Sequence, residues 1–124
     1  MHRQVGQAAF AAVGALSLVM LFSPASDVPG GLELNDKLVH GLLFAALAVT
    51  GRMASIDWLP LAVGLAAYAG ISEVLQSVLP IDRDGDPRDA LADLFGTLCG
   101  LGLVAGAGRQ RSRSVAGRRG EPLE

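Results

Sequence analysis

Residues 58–79, WLPLAVGLAAYAGISEVLQSVL, decide the fold. The run is long enough to cross a bilayer as a helix, which takes about 17–25 residues. Yet it carries Glu73 and Gln76 near its end. A charge at mid-bilayer costs about 2.5–3.5 kcal/mol even on insertion scales, so such residues persist where a specific site holds them. Three further apolar runs flank this one: Val5 to Phe22, about Leu38 to Ala54, and about Ala90 to Gly108. Strict apolar–polar alternation is absent, which excludes barrel strands and leaves helices as the spanning elements.

Composition agrees. Hydrophobic residues make up 51% of the 124-residue chain but aromatics only 5%. A soluble core of this size uses more large rings, and here the charges gather in short segments between long uncharged ones. The expected fold class is therefore all-α: a single four-transmembrane-helix bundle over 1–108, followed by a disordered basic tail over 109–124. The first run has a rival reading as a secretory signal, with His2-Arg3 before the apolar stretch and Ser23-Pro24-Ala25 after it. Its length and the loop charges favour a retained helix.

The connectors are short. Residues 23–37 contain Pro24, Pro29 and Gly30-Gly31, and 55–57 make a tight link. Asp86 followed by Pro87 and Asp89 fits an N-cap, a proline at the first helical position and an acid in the first turn, so the fourth helix is expected to start at Pro87. Gly96/Gly100, Gly102/Gly106 and Ala66/Gly70 have the spacing of close helix contacts. Trp58 sits where an interfacial anchoring ring is expected. The single cysteine, Cys99, excludes an internal disulfide and is expected to be buried and inert.

Four spans put both termini on one side. Arg3, Arg52, Arg109, Arg111, Arg113, Arg118 and Arg119 share that side, against Lys37, Arg83 and Arg88 on the other. The positive-inside rule then makes both termini cytoplasmic. It also places Asp36, Lys37, His40, Glu73, Gln76, Arg83, Asp89 and Asp93 at one depth, near the extracytoplasmic interface. Asp36/His40 and Asp89/Asp93 are i,i+4 pairs and Glu73/Gln76 is i,i+3, so each pair shares a helix face, which must turn away from lipid.

Asp36-Lys37-x-x-His40-x-x-x-Phe44, then Glu73-x-x-Gln76, then Arg83, Asp89, Asp93 and Gly96, with Tyr68 ahead of Glu73, resembles the VanZ-like family of bacterial integral membrane proteins. The resemblance covers about residues 35–105. Asp93 stands where many members carry Asn. The family is named for a protein linked to resistance to the glycopeptide antibiotic teicoplanin. The resemblance implies a multi-pass protein of the bacterial cytoplasmic membrane and a cell-envelope context, without implying a reaction.

The cluster itself admits several chemistries. Glu73 and His40 are the candidate acid and base, with Asp36, Lys37, Gln76, Arg83, Asp89 and Asp93 as binding residues. In a purely structural role Glu73 would pair with Arg83 or Lys37, and His40 with Asp36 or Glu73. No nucleophile motif surrounds Ser72 or Ser77, which argues against a Ser-His-Asp hydrolase. His40, Glu73, Asp89 and Asp93 offer one nitrogen and several hard oxygens to a divalent metal. The loop Asp82-x-Asp84-x-Asp86 fails as a calcium site, because Pro87 occupies the glycine position and Asp93 the terminal Glu position. No resident cofactor or metal is expected. Arg83 and Arg88 suit phosphate or carboxylate, each a group found in lipid headgroups and wall precursors. The function expected first is binding or modifying a polar lipid headgroup or cell-wall component. Alternatives are a small membrane enzyme and an ion- or proton-coupled carrier, the last disfavoured by the apolar inner halves of the spans. The expected partners are the bilayer and a lipid-linked or cell-wall precursor. A nucleic-acid role for the Arg tail lacks any aromatic or folded module.

Overall fold

The computed structural model describes residues 2–23, 33–81 and 85–120. Four helices follow in order: α1 (His2–Phe22), α2 (Glu33–Met53), α3 (Trp58–Val78) and α4 (Pro87–Arg119). No strand occurs among the described residues, so the all-α class is observed. α1, α3 and α4 are each long and apolar enough to cross a membrane. α2 is not among them, although it matches α1 and α3 in length.

The reason lies in where α2 sits. It packs against each of the other three helices, most extensively α4, and so faces protein more than any other helix. In its first turns His40 is buried, while Asp36 and Lys37 stay partly exposed. The core gathers around it: Phe44, Leu47 and Ala48 meet Leu21 of α1 and Leu61, Leu65 and Ala69 of α3. The Phe44 and Tyr68 rings stack at 5.4 Å between centroids, and Tyr68 shares a 2.9 Å hydrogen bond with Ser17 of α1. Large apolar side chains such as Leu59, Val63, Val74, Phe95, Leu98 and Leu103 point outward, while Ser17, His40, Ser72, Glu73, Gln76, Asp89, Asp93 and Thr97 are buried. Many large apolar groups outside, with polar groups buried inside beside an apolar core, are compatible with a multi-pass membrane protein.

One of the three small-residue spacings forms the tightest seam. A Cβ at Gly96 would overlap the Gly41 carbonyl of α2, and one at Gly100 would lie 2.5 Å from the Ala45 carbonyl oxygen. The backbones of α2 and α4 meet here because no side chain intervenes. Gly102, Gly106 and Gly70 face open space instead.

The α2–α3 link closes by a Schellman arrangement. Ile56 N–H donates to the Gly51 carbonyl and Ser55 N–H to the Arg52 carbonyl, with Ser55 at φ 67°. The Arg52 guanidinium lies 4.2 Å from the Trp58 ring centroid, a cation–π contact at the end opposite His40. α4 starts as expected: the Asp86 side chain accepts the Arg88 backbone N–H at 2.9 Å, with Pro87 in the first turn.

Two expectations are corrected. α4 does not stop at Gly108 but runs through Arg119, so residues 109–119 are helical rather than a structureless tail. Arg, Gln and Ala are good helix formers, no proline interrupts them, and backbone bonds need no apolar period. Cys99 is exposed, not buried. The Gly96/Gly100 side of α4 faces α2, and Cys99 lies off that line.

Candidate functional site

The polar residues converge at one end of the bundle, where α2 begins, α3 ends and α4 begins. His40 enters from the second turn of α2 and is buried. Its Nδ1 lies 2.9 Å from Asp93 Oδ1 on α4, itself fully buried. Its Nε2 lies 3.9 Å from Asp36 Oδ2, one turn earlier on α2. The expectation that His40 bonds Asp36 or Glu73 is thus corrected: Asp93 is the close partner. The glycine seam explains the choice, since the close α2–α4 approach at Gly96 carries Asp93 onto the imidazole.

Glu73 comes from the fifth turn of α3. One carboxylate oxygen, Oε2, accepts the Asp86 backbone N–H at 2.9 Å. Gly85 makes that approach feasible: a Cβ there would lie 2.7 Å from the Glu73 carbonyl oxygen and 2.9 Å from Ser77 Oγ. Lys37 does not pair with Glu73. Its ammonium donates to Asp89 at 2.9 Å and to Asp86 at 3.3 Å. The Arg88 backbone N–H, with the Lys37 ammonium beside it, holds the Asp86 carboxyl below its ordinary value.

Gln76 has a structural partner. Its side-chain amide donates at 2.7 Å to the Leu21 carbonyl, in the last turn of α1. Carbonyls in a helix's last turn have no intrahelical donor, so Gln76 caps α1. Ser72 and Ser77 donate to carbonyls of their own helix, as expected of serines without a nucleophilic role. Arg83, Asp82 and Asp84 lie outside the described residues.

Ligand atoms of His40, Glu73 and Asp93 all lie within 4.8 Å of one another, as do those of Asp36, His40 and Asp89. Seven of the eight site residues expected from sequence therefore occupy one end of the bundle, six in the charged cluster and Gln76 beside it. Within the cluster His40 Nε2, Glu73 Oε1 and Asp93 Oδ2 are buried without a hydrogen-bond partner. Two contributors were not foreseen: Asp86, as partner of Lys37 and backbone donor to Glu73, and Thr97, which donates to the Asp93 carbonyl at 2.9 Å. Asp86 was legible only as an N-cap. An apolar crevice of about 450 Å³ between α1 and α3 is lined by residues such as Phe10, Leu61 and Tyr68 and shares none with the cluster.

Comparison with protein-family models, with curated proteins and with solved structures finds no match for the chain.

Proposed function

We propose that the chain is a VanZ-like protein of the bacterial cytoplasmic membrane, crossing it four times with both termini in the cytoplasm. Its acid–histidine cluster then lies at the extracytoplasmic interface and binds or modifies a polar lipid headgroup or cell-wall component. The observation that carries this reading is the burial of His40, Glu73 and Asp93 together, from three helices, with one polar atom of each left unpartnered. A purely structural network leaves few such atoms, because each costs about 1–3 kcal/mol. Length supports a fourth crossing by α2, whose buried His40 is met by Asp93 of α4. Orientation rests on the arginines: Arg3, Arg52 and Arg109 lie at the end opposite the cluster.

An acid–base enzyme is the second reading, favoured by the His40–Asp93 contact, which resembles a general base held by a carboxylate. Both readings are tested by profiling lipids and lipid-linked wall precursors in membranes with the protein, without it, and with Glu73→Gln. A profile that changes with the wild type and reverts with Glu73→Gln is expected. Identical profiles in all three overturn the reading.

A further inference from the structure

Among the described residues the cluster carries more carboxylates than cations. Asp36, Glu73, Asp86, Asp89 and Asp93 bring five carboxylates to one end of the bundle. Against them, among the described residues, stand the Lys37 ammonium and the His40 imidazole, with Arg88 exposed at the rim. Lys37 is already committed to Asp86 and Asp89. Among the described residues, that leaves the deeper carboxylates, Glu73 and Asp93, with His40 as their cation.

The unpartnered atoms point to what is missing. Glu73 uses Oε2 for the Asp86 N–H and leaves Oε1 bare. Asp93 uses Oδ1 for His40 and leaves Oδ2 bare. His40 Nε2 makes no hydrogen bond, with Asp36 Oδ2 3.9 Å away. A carboxylate oxygen is an acceptor, and the imidazole nitrogen not bearing a proton is a lone-pair donor. All three residues are more than nine-tenths buried, and one ligand atom of each, a ring nitrogen or a carboxylate oxygen, lies within 4.8 Å of the other two. Such a group of lone pairs, with an excess of negative charge, fits a positively charged centre smaller than a side chain.

We infer that His40, Glu73 and Asp93 hold one divalent cation of the class that accepts mixed nitrogen and oxygen ligands, zinc or manganese. Two carboxylates and one imidazole match the ligand preferences of these ions better than those of calcium or magnesium, which favour oxygen throughout. The surrounding contacts have the character of an outer shell. The Asp86 N–H orients Glu73, and Asp36 stands one turn from His40. Three protein ligands leave coordination positions for an outside group. The inference deepens the proposed function and rests on it for that last step. Without an ion, a net-negative cluster repels phosphate and carboxylate; with one, it offers them a ligand position.

The test uses the full chain in detergent, stripped with a chelator and reloaded separately with zinc and manganese. Metal content after desalting is expected to be one ion per chain, and cobalt substitution is expected to give a ligand-field absorption spectrum. Glu73→Gln and Asp93→Asn, which keep side-chain shape, are expected to weaken loading at least about tenfold while the helical circular dichroism persists. Asp57→Asn, at the opposite end, is expected to leave it unchanged. A folded wild-type protein that takes up neither ion at micromolar concentrations overturns the inference, whatever the variants do. So does loading that survives His40→Ala. Stoichiometric loading with unchanged envelope lipids upholds the ion and removes the functional reading; altered lipids with no loading do the reverse.

Discussion

Gly100→Ala tests the seam on which the cluster depends. The new Cβ would lie 2.5 Å from the Ala45 carbonyl oxygen and 2.8 Å from the Ala48 Cβ. Ordinary contact begins at 3.4 Å, so relief requires roughly 0.9 Å of movement against backbone and a methyl that have no rotamer to change. α2 and α4 must separate. Overpacking of this kind costs about 1–3 kcal/mol. A gap of 0.5–1 Å elsewhere along the seam forfeits about a quarter to a half of each dispersion contact. Replacing glycine by alanine in a helix returns about 0.5–1 kcal/mol of backbone entropy. The net expectation is a loss of about 1–2 kcal/mol. Gly102→Ala is the matched control. Its Cβ meets nothing within 4 Å, so only the favourable entropy applies. Reversible denaturation in mixed micelles, followed by circular dichroism, measures both. The separation would also pull Asp93, two turns from Gly100, away from His40, so metal loading should weaken in Gly100→Ala and not in Gly102→Ala. Equal stability and equal loading of the two variants would refute the close-seam argument.

Two further outcomes follow from single contacts. Gln76→Leu removes the donor to the Leu21 carbonyl and should lower stability by about 1–3 kcal/mol in the same denaturation assay, with Ser77→Ala close to neutral. Asp86 has a folded-state pKa below its unfolded value, so its contribution is present above the ordinary carboxylate value and lost as pH falls through the lowered one. Melting temperatures measured across that acid range should fall less steeply in Asp86→Asn than in the wild type.

Much of this architecture was legible in the sequence because apolar runs of bilayer length are a strong signal, and Asp86-Pro87 marks a helix start sharply. The convergence of Asp36, His40, Glu73, Asp89 and Asp93 also followed from antiparallel helices, which bring the beginning of one beside the end of the next. The pairings did not follow. Whether His40 meets Asp36, Glu73 or Asp93 depends on helix rotation by a few tens of degrees, and rotation is fixed by the Gly96–Gly41 contact between residues distant in sequence. Gln76 was legible as a buried amide but not as a cap, since its acceptor is a carbonyl, which no residue type advertises. Residues 109–119 form a helix that apolar periodicity does not mark, for a related reason. Their helix is held by local backbone bonds and bears no buried face, so an argument from apolar periodicity misses it.

The arrangement also bears on why the cluster exists. A bundle this small gains its stability from close packing, and the seam at Gly41, Gly96 and Gly100 supplies that without any charge. Replacing a buried ionic network by apolar residues of similar volume is often neutral or stabilising. His40, Glu73 and Asp93 therefore bring no advantage that leucine or methionine would not match in holding α2, α3 and α4 together. Each also leaves a polar atom bare, at a cost that packing alone gives no reason to bear. The polar contacts with a structural purpose have a different look: Gln76 on Leu21, Ser17 with Tyr68 and Thr97 on Asp93 each complete a hydrogen bond to a defined partner. Under the proposed cation site, the contrast between completed and incomplete polar groups at this end of the bundle separates the residues that hold the helices from those that would hold the ion.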